Sequence, residues 1–219
     1  MRRAGAAALV AASVAAALAG CGGSKHASTT TDASGCTSVA PPEANPRQAT
    51  KPTARLDPSK TYDVRLRTNC GSFTIRLAVK TSPETTASFV SLVRKGYFDR
   101  TVFHRIVPGF VIQGGDPTGS GTGGPGYTTV DPPPSSTRYT LGVAAMAKTG
   151  SEPAGSSGSQ FFVVTAKDAQ LPPDYAVLGK VVEGLGVVEA VGQLGDPSSG
   201  GEGVPTETVE IEKATVDVH

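Results

Sequence analysis

The sequence predicts a mainly β protein, a closed antiparallel barrel capped by two α-helices, and three observations carry that expectation. Short runs of alternating apolar and polar residues recur from Tyr62 to the C-terminus, separated by turn residues, as half-buried strands require. Only two stretches have helical spacing. No helix follows each strand in turn, which excludes a doubly wound parallel sheet and leaves an antiparallel architecture that must manage its edges.

Each element has its own signal. YDVRLRT and CGSFTIRLAV alternate across a Gly-containing turn and predict a β-hairpin. In TSPETTASFVSLVRKGYF, Ser82 can cap a helix, Pro83 suits its first position, and Glu84 favours its positive end. Phe89, Val90 and Val93 then form an apolar face that lasts until Gly96. FHRIVPGFVIQGGD, from Phe103 to Asp116, reads as a second hairpin bent at Pro108-Gly109. YTLGVAAMA, SQFFVVT and YAVLGKVV supply three further strands, GLGVVEAVGQL a weaker second helix, and TETVEIEKATVDV the final strand.

The second hairpin holds His104, Arg105 and Gln113 where an ordinary core strand would carry Val or Ile. A bend centred on Gly109 sets Arg105 opposite Gln113, Val107 opposite Val111 and Phe103 opposite Gly115. Facing side chains lie about 5 Å apart at Cβ, so Gln113 can hold the guanidinium in place. Arg105 then becomes a fixed donor on an apolar wall. On spacing alone, a buried arginine satisfied by carbonyls or an acid is an equal alternative.

The bulk composition excludes several functions. The chain has 219 residues, with 27 Gly, 17 Pro and a formal net charge of +1, which does not favour nucleic acid as a partner. Gly119 to Gly124 contains a G-x-G-x-x-G match, but Pro125-Gly126 and Pro132-Pro133-Pro134 follow where a phosphate-binding helix would have to start. That segment reads as a flexible loop. GSSGSQ lacks the spacing of a nucleophile elbow. His26, His104 and His219 do not form a metal-binding pattern, so neither metal nor other cofactor is expected.

The N-terminus reads as a targeting segment. Met1-Arg2-Arg3 is basic, and Ala4 to Gly20 is an uncharged Ala/Val/Leu run too short and too small in its residues for a membrane span. Leu18-Ala19-Gly20-Cys21 resembles the lipobox of bacterial lipoproteins. That resemblance implies cleavage before Cys21, diacylglycerol on its sulfur and an acyl chain on its amine, anchoring the protein to the outer face of the cytoplasmic membrane. It leaves Cys36 and Cys70 as a pair outside the reducing cytoplasm, either bridged or as two free thiols. Residues 1–20 are thus expected to be a signal peptide, 21–59 a disordered Ser/Thr/Pro/Ala-rich tether, and 60–219 the folded domain.

FHRIVPGFVIQGGD, the GSGTGG after it, and then MAKTG and GSQFFVVT resemble the cyclophilins, peptidyl-prolyl cis–trans isomerases. The resemblance runs from about Tyr62 to the C-terminus and implies an eight-stranded antiparallel barrel capped by two helices. It places Arg105 on the family's catalytic arginine, Gln113 on the glutamine that supports it, and His104 on the histidine before it. Phe110, Phe162 and Leu171 match the proline pocket, with Val111 where the family usually has methionine. Ala147 and Gln160 match the substrate groove. Lys148, Tyr175 and Gln170 depart from the usual asparagine, histidine and tryptophan, and the missing tryptophan puts cyclosporin binding in doubt. The function implied is isomerisation of X–Pro bonds in peptides and in unfolded exported proteins by a monomer. The alternative is a proline-peptide binding or scaffold module without catalysis.

Overall fold

The computed structural model describes residues 35–219, so the signal segment and Cys21 lie outside the described residues. β1 (Tyr62–Thr68) and β2 (Gly71–Leu77) form the first hairpin, followed by α1 (Pro83–Arg94). Then come β3 (Thr101–Val102), β4 (Arg105–Val107), β5 (Val111–Gly114) and β6 (Thr129–Val130). β7 (Val143–Met146), β8 (Ser156–Ser157), β9 (Phe161–Val164) and β10 (Val177–Glu183) follow, and α2 (Leu185–Val191) and β11 (Glu210–Val218) complete the order.

Nine of the described strands form one antiparallel sheet in the order β3-β11-β1-β2-β10-β7-β9-β5-β4, while β6 and β8 pair as a separate ribbon. β3 and β4 occupy opposite ends of that order and do not bond to each other. The sheet is therefore a curled, open half-barrel, which corrects the expected closed eight-stranded barrel. The physical reason lies in the two residues between them. Phe103 is buried in the core and donates its N–H to Val209 O, so it cannot extend the β4 ladder. Ile106 on β4 donates instead to Gly203 O, and the segment 197–203 takes the edge that closure would have used. The same break ends the second hairpin early. Arg105 faces Gln113, Ile106 faces Ile112 and Val107 faces Val111, as the turn requires, but the Phe103–Gly115 pairing does not form.

Strand alternation divides the apolar residues between two cores. On β9, Phe161 and Val163 enter the main core between the sheet and its helices, while Phe162 and Val164 enter a smaller outer cluster with Val111, Tyr139 and Ala145. This is why SQFFVVT reads as a continuous apolar run: the strand is buried on both faces. Phe161 makes edge-on contacts with Phe89, Phe98 and Phe103, tying α1 to the sheet at centroid distances of 5.5, 6.0 and 5.9 Å. The candidate site sits on the outer cluster.

α1 begins as expected at Pro83, but Ser82 does not cap it through its side chain. The Ser82 hydroxyl is buried without a partner, and the carboxylate of Asp131 accepts the Thr85 N–H at 2.6 Å instead. An acid from a distant loop thus meets the orphan donors and the positive end of the helix. Asp131→Ala is expected to destabilise the fold by about 1–2 kcal/mol, because a buried donor loses its acceptor. Urea unfolding checks this, and an unchanged midpoint would count against the capping role.

The described part of the expected tether, from Cys36 on, lies along the domain rather than free of it. Cys36 is bonded to Cys70, and Thr37 N–H donates to Asn69 O at 2.8 Å. Asn45 and Ala49 donate to Pro117 O and Pro125 O, Arg47 to Tyr97 O, and Arg55 pairs with Glu84 at 3.2 Å. Composition missed this strap because several of its attachments are backbone bonds, which any sequence can make.

Candidate active site

Most of the residues expected at the site converge. Arg105, Phe110, Val111, Gln113, Ala147, Lys148, Phe162, Leu171 and Tyr175 line one open pocket of about 240 Å³. β4 and β5 supply the first wall. Their turn runs Val107-Pro108-Gly109-Phe110, with Phe110 N–H donating to Val107 O and Gly109 at φ 68°. A proline then a glycine at the two central positions suits a type II turn, and only glycine takes that φ freely. The turn therefore sets the register that brings Gln113 to Arg105.

The floor comes from β9 and the loop before β10. The Phe162 and Tyr175 rings meet edge to face at 5.5 Å, and Tyr139 backs both at 6.3 and 5.9 Å. Tyr139 is fully buried, donates its hydroxyl to Tyr175 O at 2.6 Å and accepts Tyr175 N–H at 2.9 Å. Burial pushes its phenol up to about 12, so it remains a neutral donor at physiological pH. Sequence reasoning set Tyr139 at the start of the expected strand YTLGVAAMA but gave it no part in the site, and the strand itself begins only at Val143.

Arg105 is held from two sides. Its Nε and Nη2 donate to Gly201 O at 3.1 and 2.9 Å, and its Nη1 donates to Gln113 Oε1 at 3.4 Å. Its guanidinium carbon lies 5.8 Å from the centre of the Phe110 ring. Burial lowers the guanidinium pKa from its ordinary value, with Tyr175 acting the other way, yet an arginine stays charged throughout the neutral range. The site is thus a fixed cation at the rim of an apolar hollow. Gly203 lets the 197–203 segment come this close: a Cβ there would lie 2.6 Å from the Val107 side chain and 3.0 Å from that of Arg105.

Two expected site residues stand elsewhere. His104 lines a different groove with Pro41, Gly119 and Pro205, and its buried ring nitrogens face the Val102 backbone and the Gln160 side chain. Burial holds its pKa below the usual imidazole value, so it is neutral at pH 7 and does not face the pocket. Gln160 lines the adjoining hollow with Gly121, Gly123, Thr149 and Glu152, which shares Gln113, Ala147 and Lys148 with the Arg105 pocket. Lys148 is nearly buried, donates to Thr149 O and Glu152 O, and lies 5.6 Å from the Tyr175 ring centre. The two rim residues that depart from the family pattern therefore touch each other.

A curled antiparallel sheet thus carries an arginine at the rim of an aromatic-floored pocket. Residues 63–216 match the family model described as cyclophilin type peptidyl-prolyl cis-trans isomerase/CLD, and the chain belongs to that family. It is a cyclophilin-type peptidyl-prolyl cis–trans isomerase. It is 38% identical over 163 residues to peptidyl-prolyl cis-trans isomerase-like 1 of Gibberella zeae, covering 71% of this chain and 95% of that one. The Homo sapiens isomerase-like 1 is 37% identical over 156 residues, covering 69% and 90%. A crystal structure of a Cryptosporidium parvum cyclophilin type isomerase superposes with a TM-score of 0.64 at 29% identity, covering 72% of this chain and 98% of that one. A second structure of that protein, in the presence of the dipeptide Ala-Pro, gives 0.63 at 30% identity over 71% and 98%.

Proposed function

We propose that the protein isomerises X–Pro bonds of exported proteins as they fold, using Arg105 to stabilise the twisted prolyl amide. The observation that carries this reading is the guanidinium fixed by Gly201 O and Gln113 at the rim of the Phe110, Phe162 and Leu171 pocket. Rotation breaks no bond, so neither nucleophile nor metal is needed. The barrier of about 18–20 kcal/mol is amide conjugation. When conjugation is lost, the prolyl nitrogen regains a lone pair, and a positive group aimed at it favours the twisted state over either planar one. The apolar walls grip the pyrrolidine ring and exclude water, which strengthens that charge. An acceleration of about five orders of magnitude needs about 7 kcal/mol, shared between the fixed cation and the gripped ring. The test is the cis-to-trans exchange rate of an X–Pro peptide with the native protein and an Arg105→Ala variant.

The contact between Lys148 and Tyr175 at the rim supports a second reading, a docking module that binds proline peptides without catalysis. Tight peptide binding with no exchange enhancement in NMR would select it.

The location belongs to the same proposal. Arg2-Arg3, the apolar run and Leu18-Ala19-Gly20-Cys21 support export and lipidation of Cys21, with the anchor on the outer face of the bacterial cytoplasmic membrane. The Cys36–Cys70 bond fits an oxidising compartment. Cys21→Ser is expected to move the protein from the membrane fraction to the soluble one. Unchanged fractionation would refute the anchor.

A further inference from the structure

The glycine-rich loop after β5 is not the free loop its composition suggests. Asp116 is fully buried and gathers it: Oδ1 accepts Thr118 N–H and hydroxyl, both at 2.7 Å, and Oδ2 accepts Gly121 and Gly123 N–H at 2.7 and 3.0 Å. Burial pushes this carboxyl up, but the bonds from Gly123, Thr118 and Gly121 together hold it below the usual carboxylate range. The strap pins both ends of the loop through Pro117 O and Pro125 O. With the N–H groups of Gly121 and Gly123 turned to Asp116, their carbonyls face Gln160. Gln160 Nε2 donates to Gly121 O at 2.9 Å and to Gly123 O at 3.0 Å. Gln160 Oε1 then accepts from Gln113 Nε2 at 3.1 Å, and Gln113 Oε1 accepts from Arg105.

This chain has one possible direction. Carbonyls at one end can only accept, and a guanidinium at the other can only donate. Both glutamine amides must therefore turn their NH2 toward the loop and their oxygen toward Arg105. Either amide reversed would set oxygen against oxygen or N–H against N–H. We infer that Asp116 and Gln160 are positioning residues for the isomerisation, acting through this one-way relay to fix the oxygen that Gln113 presents to Arg105. The inference rests on Arg105 being the working group.

It assigns Gln160 a role other than the groove contact that the family resemblance implies, and the two differ in kinetics. Gln160→Met keeps the length of the side chain and removes both amide functions. Its kcat is expected to fall about tenfold with KM within about twofold, as for a group that acts only in the transition state. In an Arg105→Ala background the same substitution should change kcat no further, since the relay then has nothing to position. Asp116→Asn is expected to give the same pattern; should it fail to fold, Gln160→Met alone decides. A raised KM with unchanged kcat would make Gln160 a groove contact and overturn the relay. So would an equal loss in both backgrounds. An Arg105→Ala enzyme as fast as the native one would instead overturn the reading of Arg105 itself.

Discussion

Arg105→Ala is expected to lower kcat/KM for an X–Pro peptide by about a hundredfold, equivalent to about 2.7 kcal/mol of transition-state stabilisation. The guanidinium is the charge at the rim of the pocket that is fixed by both Gly201 O and Gln113, so its removal leaves the ring gripped but the nitrogen lone pair unmatched. Residual activity should come from the apolar walls. Arg105→Lys is expected to recover little of the loss, because one ammonium cannot span Gly201 O and Gln113 as the planar fork does. Two-dimensional exchange NMR on a proline peptide measures both rates. Wild-type rates in Arg105→Ala would remove the arginine from the mechanism, and the unfolding midpoint of each variant shows whether a loss has instead a folding origin.

The second large effect is on stability. Cys36 and Cys70 are 34 residues apart in sequence, and in the chain-entropy view the bond removes about 3–4 kcal/mol of freedom from the unfolded chain. Cys36→Ala/Cys70→Ala is therefore expected to lower Tm by roughly 10 °C. Reductant should do the same to the native protein and nothing to the double variant. Calorimetry with and without dithiothreitol makes the comparison. A midpoint indifferent to both changes would mean that the strap adds nothing through its covalent end.

The hairpin that pairs Arg105 with Gln113 was legible in the sequence because its geometry is local. Pro108-Gly109 fixes the turn, the turn fixes the register, and the register sets Gln113 against Arg105. Helix α1 was legible from Pro83 and its apolar face, down to its first residue. What was not legible involves partners far apart in the chain. Asp131 replaces Ser82 as the cap of α1 across 46 residues, and Gly201 O reaches Arg105 across 96. Neither leaves a sequence signal, since one is a lone acid after a valine and the other a backbone carbonyl. Asp116 is an intermediate case. A carboxylate leading a run of Gly, Ser and Thr is a turn-forming signature that sequence alone could have flagged. Sheet closure failed for a different reason. Strand count says how many strands exist, and only tertiary contacts say which edge meets which.

The open seam beside β4 also bears on how such a protein can vary. A hydrogen-bonded closure would lock the spacing of the first and last strands into the register of every ladder between them. Here the two edges are joined by the Phe103-His104 link and faced by the 197–203 segment. Residues can be gained or lost in that segment without shifting any strand pairing. What would shift is the carbonyl that Gly201 offers to Arg105. The seam therefore gives evolution a place to retune the cation at the pocket rim while leaving the rest of the sheet alone.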